Sequence, residues 1–212
     1  LGEGNSVLEV GAGSGNLTEK LARKVRVAAI EKDRDLYETL KRRIPPSGKV
    51  TLIQGDALRV DYPPYNKIVS NIPYSISREL LQRFIVEGFE LAVLVVQKEF
   101  AHKLIAKPGQ DQYRMLSVLA QSTCDIEYLR DIPPQSFNPK PTVSSAAIRL
   151  KQTWKPPKEY ITFLNRLFSR KNKKIRNILE DFPKEYTDLI PCDMNPTEFR
   201  NLYQAINTYL QR

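Results

Sequence analysis

Apolar positions follow two rhythms along this chain. Short continuous runs occur at 5–10 (NSVLEV), 25–31 (VRVAAIE), 50–54 (VTLIQ), 66–70 (NKIVS) and 90–96 (ELAVLVV). Between them the spacing is helical: Leu17 and Leu21 in 16–24, Leu36 and Leu40 in 33–43, and Leu80, Leu81 and Phe84 in 77–86. Strands buried on both faces read as unbroken apolar runs, so the alternation predicts a mostly parallel sheet covered by helices. Asp33 and Ser77 stand where helix N-caps are expected. Helices are also predicted near 98–106 and 112–122, on either side of a glycine break. Strands near 126–131 and 143–150, joined by the proline-rich loop 132–141, predict an antiparallel pair at one edge. Composition shifts to Pro and Lys at 151–158 (KQTWKPPK), a predicted linker. Beyond it, Tyr160, Phe163, Leu164, Leu167 and Phe168, then Ile175, Ile178 and Leu179, then Phe199, Leu202, Tyr203 and Ile206 keep a helical rhythm. The expectation is an α/β, Rossmann-like domain over 1–150 and a small helical domain over 151–212.

Composition narrows the classes. With 41% hydrophobic and 27% charged residues the chain is globular rather than disordered. No 18 apolar residues run together, so no membrane span is expected. The start, LGEGNSVLEV, has neither a basic n-region nor an apolar h-region, so no signal peptide is expected. It also lacks Met, as expected of a chain that begins inside its gene product. Two cysteines, Cys124 and Cys192, fit a reducing compartment and hence a cytoplasmic protein. One histidine, His102, and no CxxC argue against a His/Cys zinc site and against zinc deaminase chemistry, so no metal is expected. His102 itself reads as a surface helix residue. The net charge of +9 favours a polyanionic partner.

Candidate chemistry gathers at the ends of the predicted strands. Gly11, Gly13 and Gly15 in LEVGAGSGNLT lie between a strand and a helix, where glycine permits a tight turn and close approach to a ligand. The spacing is G-x-G-x-G, not the dinucleotide G-x-G-x-x-G. Glu31 ends the second run, 20 residues after Gly11, where an acid can accept both hydroxyls of a ribose. Asp56 follows the third run in QGDAL, where a carboxylate can accept from an adenine amine. Either acid alone could be a solvated residue at a strand end. On consecutive strands, with the glycine turn, they predict a nucleoside site that also takes in their neighbours Lys32 and Ala57.

The fourth strand end carries Asn71-Ile72-Pro73-Tyr74. Proline fixes φ and removes a donor, which can hold neighbouring carbonyls toward a pocket. The Asn71 side-chain oxygen and the Ile72 or Pro73 carbonyl can then accept from an –NH2 group, while Tyr74 offers a face to a flat ring. An amine on a heteroaromatic ring is a poor nucleophile because its lone pair is delocalised. Two acceptors gripping its hydrogens localise that pair and stabilise the cation that develops on nitrogen. A nicotinamide enzyme has no use for this arrangement; an S-adenosylmethionine enzyme does. The plain alternative, a capping turn before the helix at 77–86, leaves the Asn-Pro-Tyr order unexplained.

Over about residues 5–180 the sequence resembles the ribosomal RNA adenine N6-dimethyltransferases, the small-subunit dimethyladenosine transferases. The resemblance is carried, in order, by LEVGAGSGNLT, AIEKD, GDAL, NIPYSIS, QKEFAHKLIAKPG, YRMLSVLAQ and FNPKPTVSSAAIRL. It implies a class I methyltransferase fold, with Gly11, Glu31, Asp56 and Asn71 touching S-adenosylmethionine and Asn71 also facing the target amine. It implies that Tyr74 and Phe137 sandwich a flipped adenine. The later FSRKNKKIRNIL resembles the basic helix that opens the family's C-terminal domain, whereas DMNPTEFRNLYQAI matches the family's end only loosely. The family's Gln-Asn-or-His-Phe-Leu segment before the first strand has no match here.

Arg166, Arg170, Lys171, Lys173, Lys174 and Arg176 form a basic run with no acid among them. A solvated helix face would normally mix signs, so phosphate contacts are expected. The expected partner is small-subunit ribosomal RNA in a precursor subunit, bound by a monomer without a membrane. Three readings compete. The macrolide-resistance adenine methylases of the large-subunit RNA share the NIPY and FxPKP blocks. A DNA adenine methylase would need a recognition domain that is not visible. A non-catalytic RNA-binding factor on the same scaffold would not need an intact Asn71-Ile72-Pro73-Tyr74.

Overall fold

The computed structural model describes residues 2, 4–44 and 48–209, with Tyr209 described by its backbone alone. Residue 1 and residues 210–212, the outer ends of the two expected domains, lie outside the described residues. By contacts the chain divides into two units: residues up to Lys98 with Glu127–Gln152, and Glu99–Ile126 with residues from Thr153 onward.

The first unit is built on the sheet. The strands are β1 (Ser6–Val10), β2 (Arg26–Glu31), β3 (Val50–Gln54), β4 (Lys67–Asn71), β5 (Leu91–Gln97), β6 (Cys124–Ile132) and β7 (Ser145–Gln152), in the order β3-β2-β1-β4-β5-β7-β6. The pairs from β3 through β5 are parallel. The two segments expected to pair across the proline-rich loop, β6 and β7, are neighbours at one edge of the sheet, and β7 runs antiparallel to β5. Helices α1 (Asn16–Ala22), α2 (Arg34–Arg43) and α3 (Ser77–Glu87) connect the parallel strands. Val7, Leu8, Ala29, Ile30 and Ile68 are all but inaccessible, as continuous apolar strands between two helical layers require.

Register matters for function. Val10 pairs with Ile30, Glu31 with Gln54, Leu8 with Ile68 and Asn71 with Val95, so the five parallel strands β1 to β5 point their carboxyl ends to one side of the sheet. The strand order reverses between β1 and β4, and open α/β sheets bind ligands in the crevice outside such a switch point.

Local signals meet the structure unevenly. Asp33 caps α2 by accepting from the Leu36 N–H at 2.9 Å. Of the pair predicted to share its inner face, Leu40 is fully buried but Leu36 is 42% exposed. Ser77 does not cap α3. A 3-10 turn over Tyr74–Ile76 precedes the helix, and Ser77 Oγ donates back to the Pro73 carbonyl at 3.2 Å.

The second unit contains α5 (Met115–Thr123), α6 (Lys158–Ser169) and α7 (Pro196–Tyr209), while α4 (Lys98–Leu104) begins at the division. His102 is exposed on α4. Tyr160 is the aromatic hub of this unit. Its ring meets Trp154 edge-on at 4.9 Å and Tyr203 at 5.1 Å, and its hydroxyl donates to Ser122 Oγ at 3.0 Å. The basic run is not one helix. α6 ends at Ser169, a turn follows, and only a 3-10 turn forms over Ile175–Asn177. Ile175, Ile178 and Leu179 are buried nonetheless, so their spacing reports burial rather than an α-helix.

Candidate active site

A cleft of about 570 Å³ opens at the carboxyl ends of β1, β2 and β3. Gly11, Glu31, Lys32, Asp56 and Ala57 all line it, together with Pro73. The turn after β1 has Gly11, Gly13 and Gly15 in the left-handed region, at φ of 71°, 57° and 87°. Their surroundings differ. A Cβ on Gly11 would lie 3.1 Å from the Pro73 ring, whereas one on Gly13 would meet nothing within 4 Å. A Cβ on Gly15 would lie 2.6 Å from Leu40 Cδ1, so that glycine serves the packing of α1 against α2 and stands outside the cleft.

Glu31 is buried at the end of β2, and its two oxygens accept from separate backbone amides. Oε2 takes the Gly13 N–H at 2.7 Å and Oε1 the Asp33 N–H at 2.8 Å. The carboxylate thereby ties the glycine turn to the start of α2, and each oxygen keeps a lone pair for a further donor. Asp56 Oδ1 accepts from the Leu58 N–H at 2.9 Å, and Oδ2 pairs with Lys32 Nζ at 3.0 Å. These two partners, the Leu58 amide foremost, hold the Asp56 carboxyl below the usual carboxylate range. On β1, Glu9 is buried and its Oε2 has no hydrogen-bond partner among the described residues. Burial, aided by the charge of Glu31, pushes its carboxyl up to about 7.

Asn71 does not line this cleft. It lines a smaller hollow of about 210 Å³ with Ile72, Pro73, Tyr74, Phe137, Pro139 and Pro141. Pro73 lines both spaces and so forms a wall common to them. The hollow brings together Tyr74 and Phe137, 63 positions apart, through the loop before β7. The Tyr74 hydroxyl shares a hydrogen bond of 2.5 Å with Ser145 Oγ, on the first residue of β7, which fixes the ring.

The structure separates the two carbonyls that the sequence left open. The Pro73 carbonyl accepts from the Ile76 N–H at 3.2 Å and from Ser77 Oγ at 3.2 Å, so the turn into α3 uses it. Among the described residues no donor reaches the Ile72 carbonyl or the Asn71 side chain. The free acceptor pair is therefore Asn71 Oδ1 with the Ile72 carbonyl.

The family model described as ribosomal RNA adenine dimethylase matches residues 1–195. The chain belongs to the ribosomal RNA adenine dimethylase family. It is a methyltransferase. Its relatives include the probable ribosomal RNA small subunit methyltransferase A of Methanosarcina barkeri, 38% identical over 95% of this chain and 75% of the relative. That of Methanothermobacter thermautotrophicus is 41% identical over 89% of this chain and 70% of the relative. Two crystal structures share the fold. A dimethyladenosine transferase from Plasmodium falciparum superposes with a TM-score of 0.83 at 24% identity, covering 98% of this chain and 92% of that one. The 23S rRNA methyltransferase ErmE gives 0.71 at 23% identity, covering 98% and 93%.

In this family member the second unit carries the basic run, and the fold sets acids beside it. Asp188 pairs with Lys174 Nζ at 2.7 Å and with Arg176 Nη1 at 3.0 Å. Glu180 lines the same hollow of about 350 Å³ as Arg166, Arg170 and Arg176. Arg170 Nη1 also donates to the Asn177 carbonyl at 3.2 Å. The expectation of a run without acids thus holds along the sequence but not in space. Arg166, Lys171 and Lys173 have no ion pair among the described residues.

Sequence reasoning did not single out Ser75 and Ile76 of the larger cleft, or Pro139 and Pro141 of the smaller one. The prolines were visible within FNPKPTV, but their inward placement depends on the loop's path.

Proposed function

We propose that this chain transfers methyl groups from S-adenosylmethionine to the N6 amine of adenines in small-subunit ribosomal RNA, within a cytoplasmic ribosomal precursor. The observation that carries this reading is the pair of spaces meeting at Pro73, one suited to a nucleoside and one to a flat amine-bearing ring. The names of the relatives supply the small subunit.

The larger cleft fits the cofactor. Gly11 leaves room that a side chain would fill, and Glu31 is a buried acid whose oxygens retain acceptor capacity for a diol. Lys32 and Ala57 flank the two acids, and Asp56 is held in its charged form for an exocyclic amine. When bound, S-adenosylmethionine supplies an electrophilic methyl group on a sulfonium. The hollow beside it, with prolines and two aromatic rings as its walls, fits an extruded adenine stacked between Tyr74 and Phe137.

In this reading Asn71 Oδ1 and the Ile72 carbonyl accept the two N6 hydrogens. They turn the nitrogen lone pair past Pro73 toward the larger cleft and stabilise the cation that develops on the nitrogen. Pro73 contributes its ring and its fixed φ, while its own carbonyl anchors α3. No strong base is required, because the alkylated ammonium is acidic enough to lose its proton to water. Arg166, Lys171 and Lys173 contact phosphates, with Arg170, Lys174 and Arg176 contributing as far as their protein partners allow. The protein acts as a monomer, and its two units serve methyl transfer and RNA binding.

Incubation with isolated small-subunit precursors and labelled S-adenosylmethionine, with the modified nucleotides mapped, tests the proposal. N6-methylated adenines confined to small-subunit RNA are expected. Label confined to large-subunit RNA, or none, contradicts it.

A further inference from the structure

The segment that carries Asp56 and Ala57 has no sheet or α-helix to hold it. It runs from the end of β3 to the start of β4 as a loop of 12 residues, Gly55–Asn66. Such a loop needs its carbonyls held by side chains if it is to present a carboxylate at a fixed position.

One residue supplies two of those contacts. Arg83 lies on α3, the helix that begins directly after Asn71-Ile72-Pro73-Tyr74 and its short turn. Its guanidinium donates from Nη1 to the Ala57 carbonyl at 2.8 Å and from Nη2 to the Val60 carbonyl at 2.8 Å. Its Nε donates to Glu87 Oε1 at 2.5 Å, one turn along the same helix, which orients the fork. Its plane lies over the Tyr62 ring, 3.8 Å from the centroid. Tyr62 in turn donates from its hydroxyl to the same Ala57 carbonyl at 2.5 Å. The Tyr62 ring is backed by Phe84 and Tyr65, at 6.3 Å and 6.1 Å. Ala57 thus receives two donors on its carbonyl while its neighbour Asp56 faces the cleft.

We propose that Arg83, with Tyr62, is a positioning residue that sets the Asp56–Ala57 wall of the cofactor cleft and registers it against the helix carrying the acceptor segment. The proposal rests on reading the larger cleft as the cofactor site. Arg83 lines neither the larger cleft nor the smaller hollow. Its planar fork holds two carbonyls from separate nitrogens while Nε pairs with Glu87, a fixed geometry that the single nitrogen of a lysine does not reproduce. A change here therefore shifts the cofactor's contacts and leaves the acceptor pair untouched.

The test is calorimetry and steady-state kinetics on the full-length protein carrying Arg83→Met, Arg83→Lys, Tyr62→Phe or Asp56→Ala. Methionine keeps an apolar stem over Tyr62 and removes the donors. Arg83→Met is expected to raise the Kd and KM for S-adenosylmethionine about ten- to a hundred-fold. Its kcat at saturating cofactor and its KM for RNA stay near the parental values. Arg83→Lys and Tyr62→Phe fall between it and the parent. A merely structural role would lower the melting temperature without that split between KM and kcat. If Asp56→Ala weakens cofactor binding but Arg83→Met does not, the proposal fails and the reading of the cleft stands. If neither changes the Kd, both fail. Should Arg83→Met not fold, unchanged cofactor affinity in both Arg83→Lys and Tyr62→Phe overturns the proposal.

Discussion

Gly11 and Pro73 face one another so closely that a single added carbon on the glycine would sit 3.1 Å from both Cγ and Cδ of the proline ring. Gly11 opens the turn after β1 and Pro73 follows β4, the two strands that flank the switch in strand order. The contact sets the distance between the glycine turn and the acceptor segment.

Gly11→Ala therefore strikes twice. The residue sits at φ 71°, where a side chain is strained by about 1 kcal/mol or more, and its methyl pushes the Pro73 ring. Cofactor affinity and turnover are expected to fall together, with melting temperature only modestly lower. Measured Kd and single-turnover rates at parental values contradict the contact's role. Gly13→Ala is a useful comparison, since its methyl meets no protein atom within 4 Å and carries the backbone strain alone.

Glu9 makes stability depend on pH in an unusual direction. Burial raises its carboxyl from the ordinary 4.5 to about 7. Between these values the folded protein holds a proton that the unfolded chain has released, so stability falls as pH rises through the window. The loss amounts to about 3 kcal/mol by linkage. Glu9→Gln carries no such charge. The melting temperature of the variant relative to the parent should rise from pH 4.5 to 7 and level off above. A difference that is constant with pH contradicts the buried, proton-holding carboxyl.

The basic surface yields two changes of opposite sign. Neutralising Lys171 and Lys173 should weaken RNA binding and reduce the slope of log affinity on log salt by about 0.7–0.9 for each lost phosphate contact. Asp188→Asn releases Lys174 and Arg176 from their ion pairs and should strengthen binding and steepen the slope. Filter binding across a salt series measures both. Slopes that do not move in either variant mark the surface as solvated charge without phosphate contacts.

How much of this was legible in the sequence follows from the range of each interaction. β1 through β5 were readable because the strands of a covered sheet are short, mostly apolar runs, continuous where both faces are buried as in β1 and β2, and that constraint is local. The polar strand ends were readable because parallel strands bring Glu31, Asn71 and the start of the loop that carries Asp56 to one edge of the sheet. The use of the Pro73 carbonyl by Ser77 and Ile76 was hidden, since Ser77 looks like a cap until the 3-10 turn displaces the helix start. Asp188 lies 12 positions beyond Arg176, and nothing local ties it to the basic run. Nothing local marks Arg83, because its carbonyl partners belong to a loop whose path no periodicity encodes.

The central claim is that Asn71 and the Ile72 carbonyl grip the target amine while Tyr74 holds its ring. Single-turnover methyl transfer by Asn71→Ala, at saturating cofactor and RNA, tests it most directly. The Ile72 carbonyl survives the substitution, so one of two preorganised acceptors is lost and the rate should fall about 10²–10³-fold. RNA affinity should barely change, because phosphate contacts dominate it. Tyr74→Phe, which loses only the bond to Ser145, should be milder, and Tyr74→Ala severe. Methyl transfer by folded Asn71→Ala at the parental rate contradicts the account and leaves Asn71-Ile72-Pro73-Tyr74 as a turn into α3.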